Sequence, residues 1–266
     1  MTQKGAQAPF RINFIALGSA NDVDLVARCK SCDAPYVKPR TKKRLAVVGL
    51  GWSSSNAIDD LMSWDGDIFA INGAATWLAK QGINSVMVTV DPMPFPDSAF
   101  DGVSAAIFAS CADPGAFEKM RGMVEKFDMC EHSENGIVGG CTTAARIPAL
   151  AVSLGYQSVT FFGCEGSFKE RNHVDLERDY PEQLFIRAGG TDYRSVPEFV
   201  LQAQSLASLM REWPDIFKEK SGGLLSGMIA DPNWSVVAVS EALKDQIEQI
   251  SGSHGLYEVQ YQGVSQ

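Results

Sequence analysis

The chain has 266 residues, of which 45% are hydrophobic and 21% charged, the balance of an ordinary soluble globular protein. Its formal net charge of −9 argues against a nucleic-acid partner, because phosphates would be repelled. No apolar run reaches the ~18 residues of a membrane span. The six cysteines are scattered rather than grouped in a compact framework. That pattern is typical of a reducing compartment, so we expect a cytoplasmic protein.

An N-terminal arm, residues 1–43, comes first in the predicted domain organisation. Arg11–Leu17 is strand-like, and the basic stretch Lys38–Arg44 is more typical of a solvated linker than of a binding patch. Cys29 and Cys32 form a CxxC pair. A structural zinc ion needs about four ligands. No second pair follows, so we expect no metal here.

From residue 44 the chain alternates between short buried strands and amphipathic helices. Apolar runs rich in β-branched and aromatic residues predict strands near 45–49, 67–71, 84–90, 104–110 and 158–163. Connections this short favour parallel, right-handed crossovers. The pattern therefore predicts an α/β fold: a Rossmann-like, doubly wound, mostly parallel sheet with helices on both faces, spanning residues 44–250.

Three further segments complete the middle of this domain. Pro114–Phe127 has apolar residues spaced for one buried helical face. Residues 141–154 form a second predicted helix, in which Pro148 should cause a kink. Leu176–Tyr193 is polar and irregular, and a connection of this length inside a compact domain is typical of a lid or binding loop.

The C-terminal part begins with a helix signal. Ser195 and Glu198 have the spacing of a capping box, which predicts the start of an amphipathic helix that continues to Trp213. Residues 234–250 have helical spacing, although SVVAVS alone fits a strand. Residues 251–266 are interpreted as a C-terminal tail.

Two glycine-rich turns each follow a predicted strand or precede a predicted helix. Their key residues are Gly49, Gly51, Ser53 and Ser54 in the first turn, and Gly139, Gly140, Cys141 and Thr142 in the second. Backbone amides at such turns and at helix N-termini can cradle a phosphate. Neither turn has the third glycine of a dinucleotide fingerprint or the Gly-Lys-Ser/Thr of a P-loop. A plain tight turn explains each equally well.

Other polar residues are predicted to lie at the same edge of the sheet. Asn72 and Asp91 end neighbouring strands, where side chains can contact a ribose, a base or a metal ion. Glu165, His173 and Asp175 follow the last predicted strand. A histidine beside two carboxylates can act as a general acid or base. The alternatives are a solvent-exposed loop histidine, a salt-bridged surface carboxylate and an Asn-Gly turn.

Three stretches have a familiar order: LAVVGLGWSSSN, DIFAINGAATWLAKQGINSVMVTVDP, and GGCTTAARIPALAVSLGYQSVTFFGCEGSF followed by NH. They resemble the 6-hydroxymethylpterin pyrophosphokinase-like family, which includes the motility accessory factors. Bacterial sialyltransferases that use CMP-sialic acid look similar in the same places. The resemblance covers roughly residues 44–230. It implies a Rossmann-like transferase that binds a nucleotide or nucleotide-sugar at the two glycine turns.

The resemblance also implies roles for individual residues. The donor phosphate would contact Gly49, Gly51 and Ser53. The nucleotide pocket would be lined by Asn72 and Asp91. The donor would be held from the opposite side by Gly139, Gly140 and Cys141. His173 matches the family's histidine, and Glu165 stands where the family usually has an aspartate. The first turn departs from the family's Gly-Pro-Ser-Leu. Phe168, the nearest aromatic residue, lacks the hydroxyl of the sialyltransferase tyrosines.

Three functions are compatible with these observations. The first is glycosyl or diphosphoryl transfer from an ATP-type or CMP-sugar-type donor, with or without magnesium. The second is a non-catalytic nucleotide-binding relative, which the altered first turn suggests. The third is an interaction or scaffold protein that docks a partner through its N-terminal arm. The sequence leaves open the acceptor, the donor base and the formation of a homo-oligomer.

Overall fold

The structure is a computed structural model that describes residues 32–129, 133–140, 142–169, 173–174, 179–181 and 183–244. The strands are β1 (Arg44–Val48), β2 (Asp67–Ile71), β3 (Val86–Thr89), β4 (Ala105–Ala109), β5 (Met123–Phe127), β6 (Ser158–Phe162), β7 (Leu184–Ala188), β8 (Thr191–Ser195), β9 (Phe217–Glu219) and β10 (Ser235–Val239). The α-helices are α1 (Ile58–Met62), α2 (Ala74–Lys80), α3 (Pro114–Lys119), α4 (Thr143–Ser153), α5 (Pro197–Glu212) and α6 (Gly223–Ala230).

Seven strands form one sheet in the order β5-β4-β3-β2-β1-β6-β9, and every pair in it is parallel. The chain steps outward from β1 to β5 and then returns to the other side of β1 with β6 and β9. This confirms the predicted α/β, doubly wound fold. The strand order reverses between β1 and β6, and ligands of open α/β sheets bind outside the carboxyl ends of the strands at such a point.

Both faces of the sheet are buried. Leu45 and Val47 point to the face covered by α4, α5 and α6, whereas Ala46 and Val48 point to the face covered by α1, α2 and α3. All four side chains are fully buried. A strand that is buried on both faces has apolar residues at consecutive positions. This is why β1 can be recognised in the sequence from the run RLAVV.

A second sheet has three antiparallel strands in the order β10-β7-β8. The prediction of an irregular lid over Leu176–Tyr193 is therefore wrong from Leu184 onward. β7 and β8 form a hairpin whose turn residues Gly189 and Gly190 have φ values of 56° and 77°. Glycine pairs are favoured there because both turn residues need positive φ. The alternating run LFIRA followed by Gly-Gly was the missed hairpin signal.

The predicted helix Pro114–Phe127 is also wrong in its second half. The helix ends at Lys119, and Met123–Phe127 forms the edge strand β5. Glu125 and Lys126 are buried within that strand, where Arg40 pairs with Glu125 and Lys126 Nζ donates to Cys32 O at 2.7 Å. Buried charges inside a strand removed the alternating pattern, so the apolar residues fitted a helical spacing by coincidence.

The capping box does not form. The Ser195 hydroxyl donates to Gly166 O at 2.6 Å, and the helix starts at Pro197 after Val196, without a side-chain cap. Pro is well suited to the first helical position, because its missing N–H would have had no intrahelical acceptor. For residues 234–250, the strand alternative is confirmed over Ser235–Val239.

The described end of the N-terminal arm packs along the outer edge of the sheet. Val37 N donates to Lys126 O and Lys126 N donates to Pro35 O, both at 2.9 Å. The predictions for Arg11–Leu17, Cys29 and the C-terminal tail lie outside the described residues. Across the described ranges, none of the helices has both the length and the apolar character needed to cross a bilayer.

Candidate functional site

The loops that follow β1 and β6 are joined directly by hydrogen bonds at the switch point. Gly49 N donates to Phe162 O, and Gly51 N donates to Gly163 O, both at 2.9 Å. The Ser54 hydroxyl lies 2.8 Å from both Gly49 O and Gly51 O, which fixes the first glycine turn internally. These bonds extend the pairing of β1 with β6 into the two loops that follow them.

Glu165 fills the space beneath this turn. Its side chain is buried, with 2% of the residue exposed, and Oε1 accepts a hydrogen bond from Ser53 N at 2.6 Å. Burial raises the pKa of the Glu165 carboxyl above its usual value, while hydrogen bonding from Ser53 acts in the opposite direction. The carboxylate therefore occupies an amide that the sequence assigned to a donor phosphate.

Internal packing accounts for the glycines of both turns. A Cβ on Gly49 or Gly51 would overlap Gly163 O or the Glu165 carboxylate, respectively. A Cβ on Gly140 would overlap the side chain of Ala145, in the first turn of α4. These glycines are required by the fold itself, so their presence is not by itself a sign of phosphate binding.

The second turn leads into α4, whose start is attached to neighbouring elements. Thr142 Oγ1 accepts from Ala145 N at 3.2 Å as an N-cap and donates to Gln202 Oε1 of α5 at 3.1 Å. Thr143 Oγ1 accepts from Val90 N at 3.3 Å, which joins α4 to the end of β3. The predicted binding residue Cys141 lies outside the described residues.

Asp91 comes just after β3 and is engaged in local turn bonds. Its Oδ1 accepts from Met93 N at 3.0 Å, and its own amide donates to Thr89 Oγ1 at 2.9 Å. The carboxylate thus stabilises the turn that ends the strand. Because all strands of the large sheet are parallel, Asp91 still lies at the same edge as the first glycine turn.

His173 contacts the first glycine turn. Its Nδ1 lies 3.3 Å from Leu50 O and its Nε2 lies 3.0 Å from the Tyr180 hydroxyl. A carbonyl oxygen only accepts, so the ring donates from Nδ1 in this contact, and in the neutral tautomer with that proton Nε2 accepts from Tyr180. Among the described residues, the Glu165 carboxylate bonds to Ser53 rather than to His173, and Asp175 lies outside the described set.

Tyr180 was missed by sequence reasoning because it lies in the polar stretch interpreted as a lid. Its ring stacks on Phe168 with centroids 5.2 Å apart and an interplanar angle of 19°. Phe199 of α5 packs edge-on against Phe168 at 5.9 Å. Tyr180 thereby places a phenolic hydroxyl beside Phe168, which has no hydroxyl of its own.

Two buried polar atoms at this edge, Trp52 Nε1 and Asn72 Oδ1, have no hydrogen-bond partner in the described part of the chain. Asn72 also has a positive φ of 49°, a backbone conformation that non-glycine residues seldom adopt. Buried polar groups are normally paired, so unpaired ones clustered at a sheet edge call for an explanation such as a ligand.

A cysteine also follows β6, next to Glu165. Cys164 is 3% exposed, and burial raises the pKa of its thiol, so it is a poor nucleophile at neutral pH. The described residues contain no group of three or more His, Cys, Asp or Glu side chains placed to hold a metal ion. A cavity of about 460 Å³ lies at the opposite, amino edge of the sheet, beside Trp64 and Asp67.

No family model matches the chain, and no curated protein matches it. Among solved structures, it is similar to the MAf glycosyltransferase from Magnetospirillum magneticum AMB-1, with 13% identity and a TM-score of 0.53. The match covers 83% of this chain and 39% of that protein. A protein from Lactobacillus plantarum matches at 15% identity and a TM-score of 0.33, over 66% of this chain and 61% of that one. The first likeness shows a fold shared with part of a glycosyltransferase.

Proposed function

We propose that the protein is a transferase that binds a nucleotide or nucleotide-sugar at the carboxyl edge of its large sheet. The observation that carries this proposal is the pair of buried polar atoms at that edge, Trp52 Nε1 and Asn72 Oδ1, that have no partner among the described residues. The fold shared with a glycosyltransferase supports glycosyl transfer in particular. Diphosphoryl transfer from an ATP-type donor is the other reaction of this class, and magnesium would be needed there to offset phosphate charge.

In this proposal the residues at the edge have separate tasks. Ser53 and Asn72 hold polar groups of the nucleotide, and Asp91 and the start of α4 border the same space. His173 acts as general base on the acceptor hydroxyl through Nε2, the nitrogen left free to accept when Nδ1 donates to Leu50 O. The Tyr180 hydroxyl is hydrogen-bonded to Nε2 of His173 until the acceptor hydroxyl takes its place. Asp175 remains a candidate partner of His173.

One observation favours a second candidate, a nucleotide-binding relative without catalysis. Glu165 already occupies the Ser53 amide with a carboxylate, which is the kind of group that a donor phosphate would place there. A donor phosphate at that amide would have to displace a buried side chain. Binding without turnover would identify this second function.

Donor binding is tested by measuring thermal unfolding with a panel of nucleotides and nucleotide-sugars, each with and without magnesium. A ligand at a hundred times its Kd should stabilise the fold by about 2.7 kcal/mol. For a domain of this size, that predicts a rise in Tm of roughly 5–10 °C. The nucleoside of each active compound is the control. The absence of a shift with every nucleotide and nucleotide-sugar would contradict the proposal.

The role of His173 is tested with His173→Ala, once a donor has been found. A positioned general base contributes about a hundred- to ten-thousand-fold to rate. We therefore expect turnover to fall by about that factor while donor affinity stays unchanged. Unchanged turnover would remove His173 from the mechanism. Loss of donor affinity alone would instead assign it to the donor pocket.

A further inference from the structure

Two cationic residues are in contact beside the first glycine turn. Lys169 Nζ lies 3.7 Å from the centroid of the Trp52 ring, and Arg194 Cζ lies 5.9 Å from that of Phe168. Arg194 Nη2 donates to Lys169 O at 2.9 Å, so the two residues are in direct contact. Both residues are exposed to solvent.

Neither cation is paired with a carboxylate among the residues that the structure describes. Ion pairs are formed by Arg40, Lys42, Lys119, Arg187, Lys220 and Lys244, whereas other described cations, among them Lys80 and Arg121, form none with a described carboxylate. Lys169 and Arg194 differ from those in being in contact with each other, beside the turn after β1. A guanidinium and an ammonium carried by neighbouring residues attract an anion to that surface.

The fold holds these two residues in place from separate elements. Lys169 lies on the loop after β6, whereas Arg194 belongs to β8 of the small sheet. Phe168 N donates to Arg194 O at 2.7 Å and forms an antiparallel bridge with that residue, which fixes their spacing. On the side of the turn, the indole N–H of Trp52 is buried without a partner in the described chain.

We propose that Lys169 and Arg194 form the phosphate subsite of the donor. An Arg guanidinium can bind two phosphate oxygens at once, and a Lys ammonium supplies a compact charge beside it. The phosphate then lies at the rim of the first turn rather than on the Ser53 amide, which Glu165 occupies. The ligand class is a phosphate or diphosphate ester, and the assignment to a donor rests on the proposed transferase function.

The test uses inorganic pyrophosphate as the probe, with its Kd measured by calorimetry on the full chain. The variants are Lys169→Ala and Arg194→Ala, and the charge-matched controls are Lys80→Ala and Arg121→Ala. Both control residues are exposed and lie towards the amino edge of the sheet. Each site variant should weaken pyrophosphate binding by about tenfold or more, as expected for a lost charge-assisted contact. The controls should bind like the wild type, and circular dichroism checks that every variant is folded.

The outcomes separate this subsite from the proposed function. Pyrophosphate that does not bind, or binds equally to the site variants and controls, overturns the subsite. If pyrophosphate binding depends on Lys169 and Arg194 but no nucleotide or nucleotide-sugar binds, the phosphate subsite stands and the transferase proposal fails. If a nucleotide binds both site variants as tightly as the wild type, the transferase proposal stands and the subsite fails. Arg194→Lys, which keeps the charge, should retain more affinity than Arg194→Ala.

Discussion

At the scale of single residues, Glu165 shows how tertiary contacts can reassign a side chain. It was a candidate partner of His173, yet its side chain accepts a hydrogen bond from Ser53 N in the turn after β1. Its burial opposes ionisation, and the nearby carboxylate of Glu219 raises its pKa further. A buried carboxylate with one short amide bond is under electrostatic penalty at neutral pH.

This penalty predicts a pH-dependent effect of Glu165→Gln. Because the pKa is raised in the folded state, Glu165 binds its proton more tightly in the folded than in the unfolded chain. The stability it contributes is present below the unfolded pKa and is lost as the pH rises through the folded pKa. We expect Glu165→Gln to gain stability relative to the wild type over that window, measured by urea unfolding at successive pH values. The exposed Glu118→Gln is the control, and parallel curves for wild type and Glu165→Gln would contradict this account.

At the scale of elements, the turn after β1 is shaped by its contacts with the loop after β6. Gly51 N donates to Gly163 O at 2.9 Å, and the carboxylate of Glu165 lies directly over the Gly51 Cα. The turn, the loop after β6 and the start of α6 form one unit, because Leu225 N donates to Glu165 O at 2.9 Å. A substitution in any of the three should therefore disturb the structure of the other two.

Gly51→Ala tests this unit. Its added Cβ would lie 2.6 Å from Gly163 O and overlap the Glu165 carboxylate, so we expect a loss of about 2–3 kcal/mol of stability from overpacking. Gly155→Ala is the comparison, because its Cβ meets nothing within 4 Å and only its φ of 86° is unfavourable. That change should cost about 1 kcal/mol. Equal losses for the two variants in chemical unfolding would show that the contact with Glu165 does not shape the turn.

At the scale of the whole molecule, the site depends on contacts between distant parts of the chain. Ser53 and Glu165 are 112 positions apart and meet because β1 and β6 are neighbours in the sheet. The small sheet brings Arg194 to the same edge, beside Lys169. A chain with a net charge of −9 thereby places two cationic residues in contact at this edge.

The sequence by itself determined the fold class and the edge at which polar residues gather. Strands such as RLAVV and SVTFF are buried on both faces, so their apolar residues are consecutive and the strands can be recognised from a short stretch of sequence. Short strand–helix connections then require parallel pairing, and parallel strands place all their carboxyl ends on one side. Asn72, Asp91 and Glu165 each follow the end of a parallel strand, and they therefore lie at the same edge of the sheet.

Only the tertiary structure decided which group each polar side chain meets. The strand β5 carries buried Glu125 and Lys126, whose partners Arg40 and Cys32 are far away in sequence. Tyr180 reaches His173 from a polar segment without a periodic pattern. Hydrogen bonds and ion pairs depend on distance and geometry rather than on neighbouring residue types, so local patterns predict where a strand ends but not what its terminal residues bind.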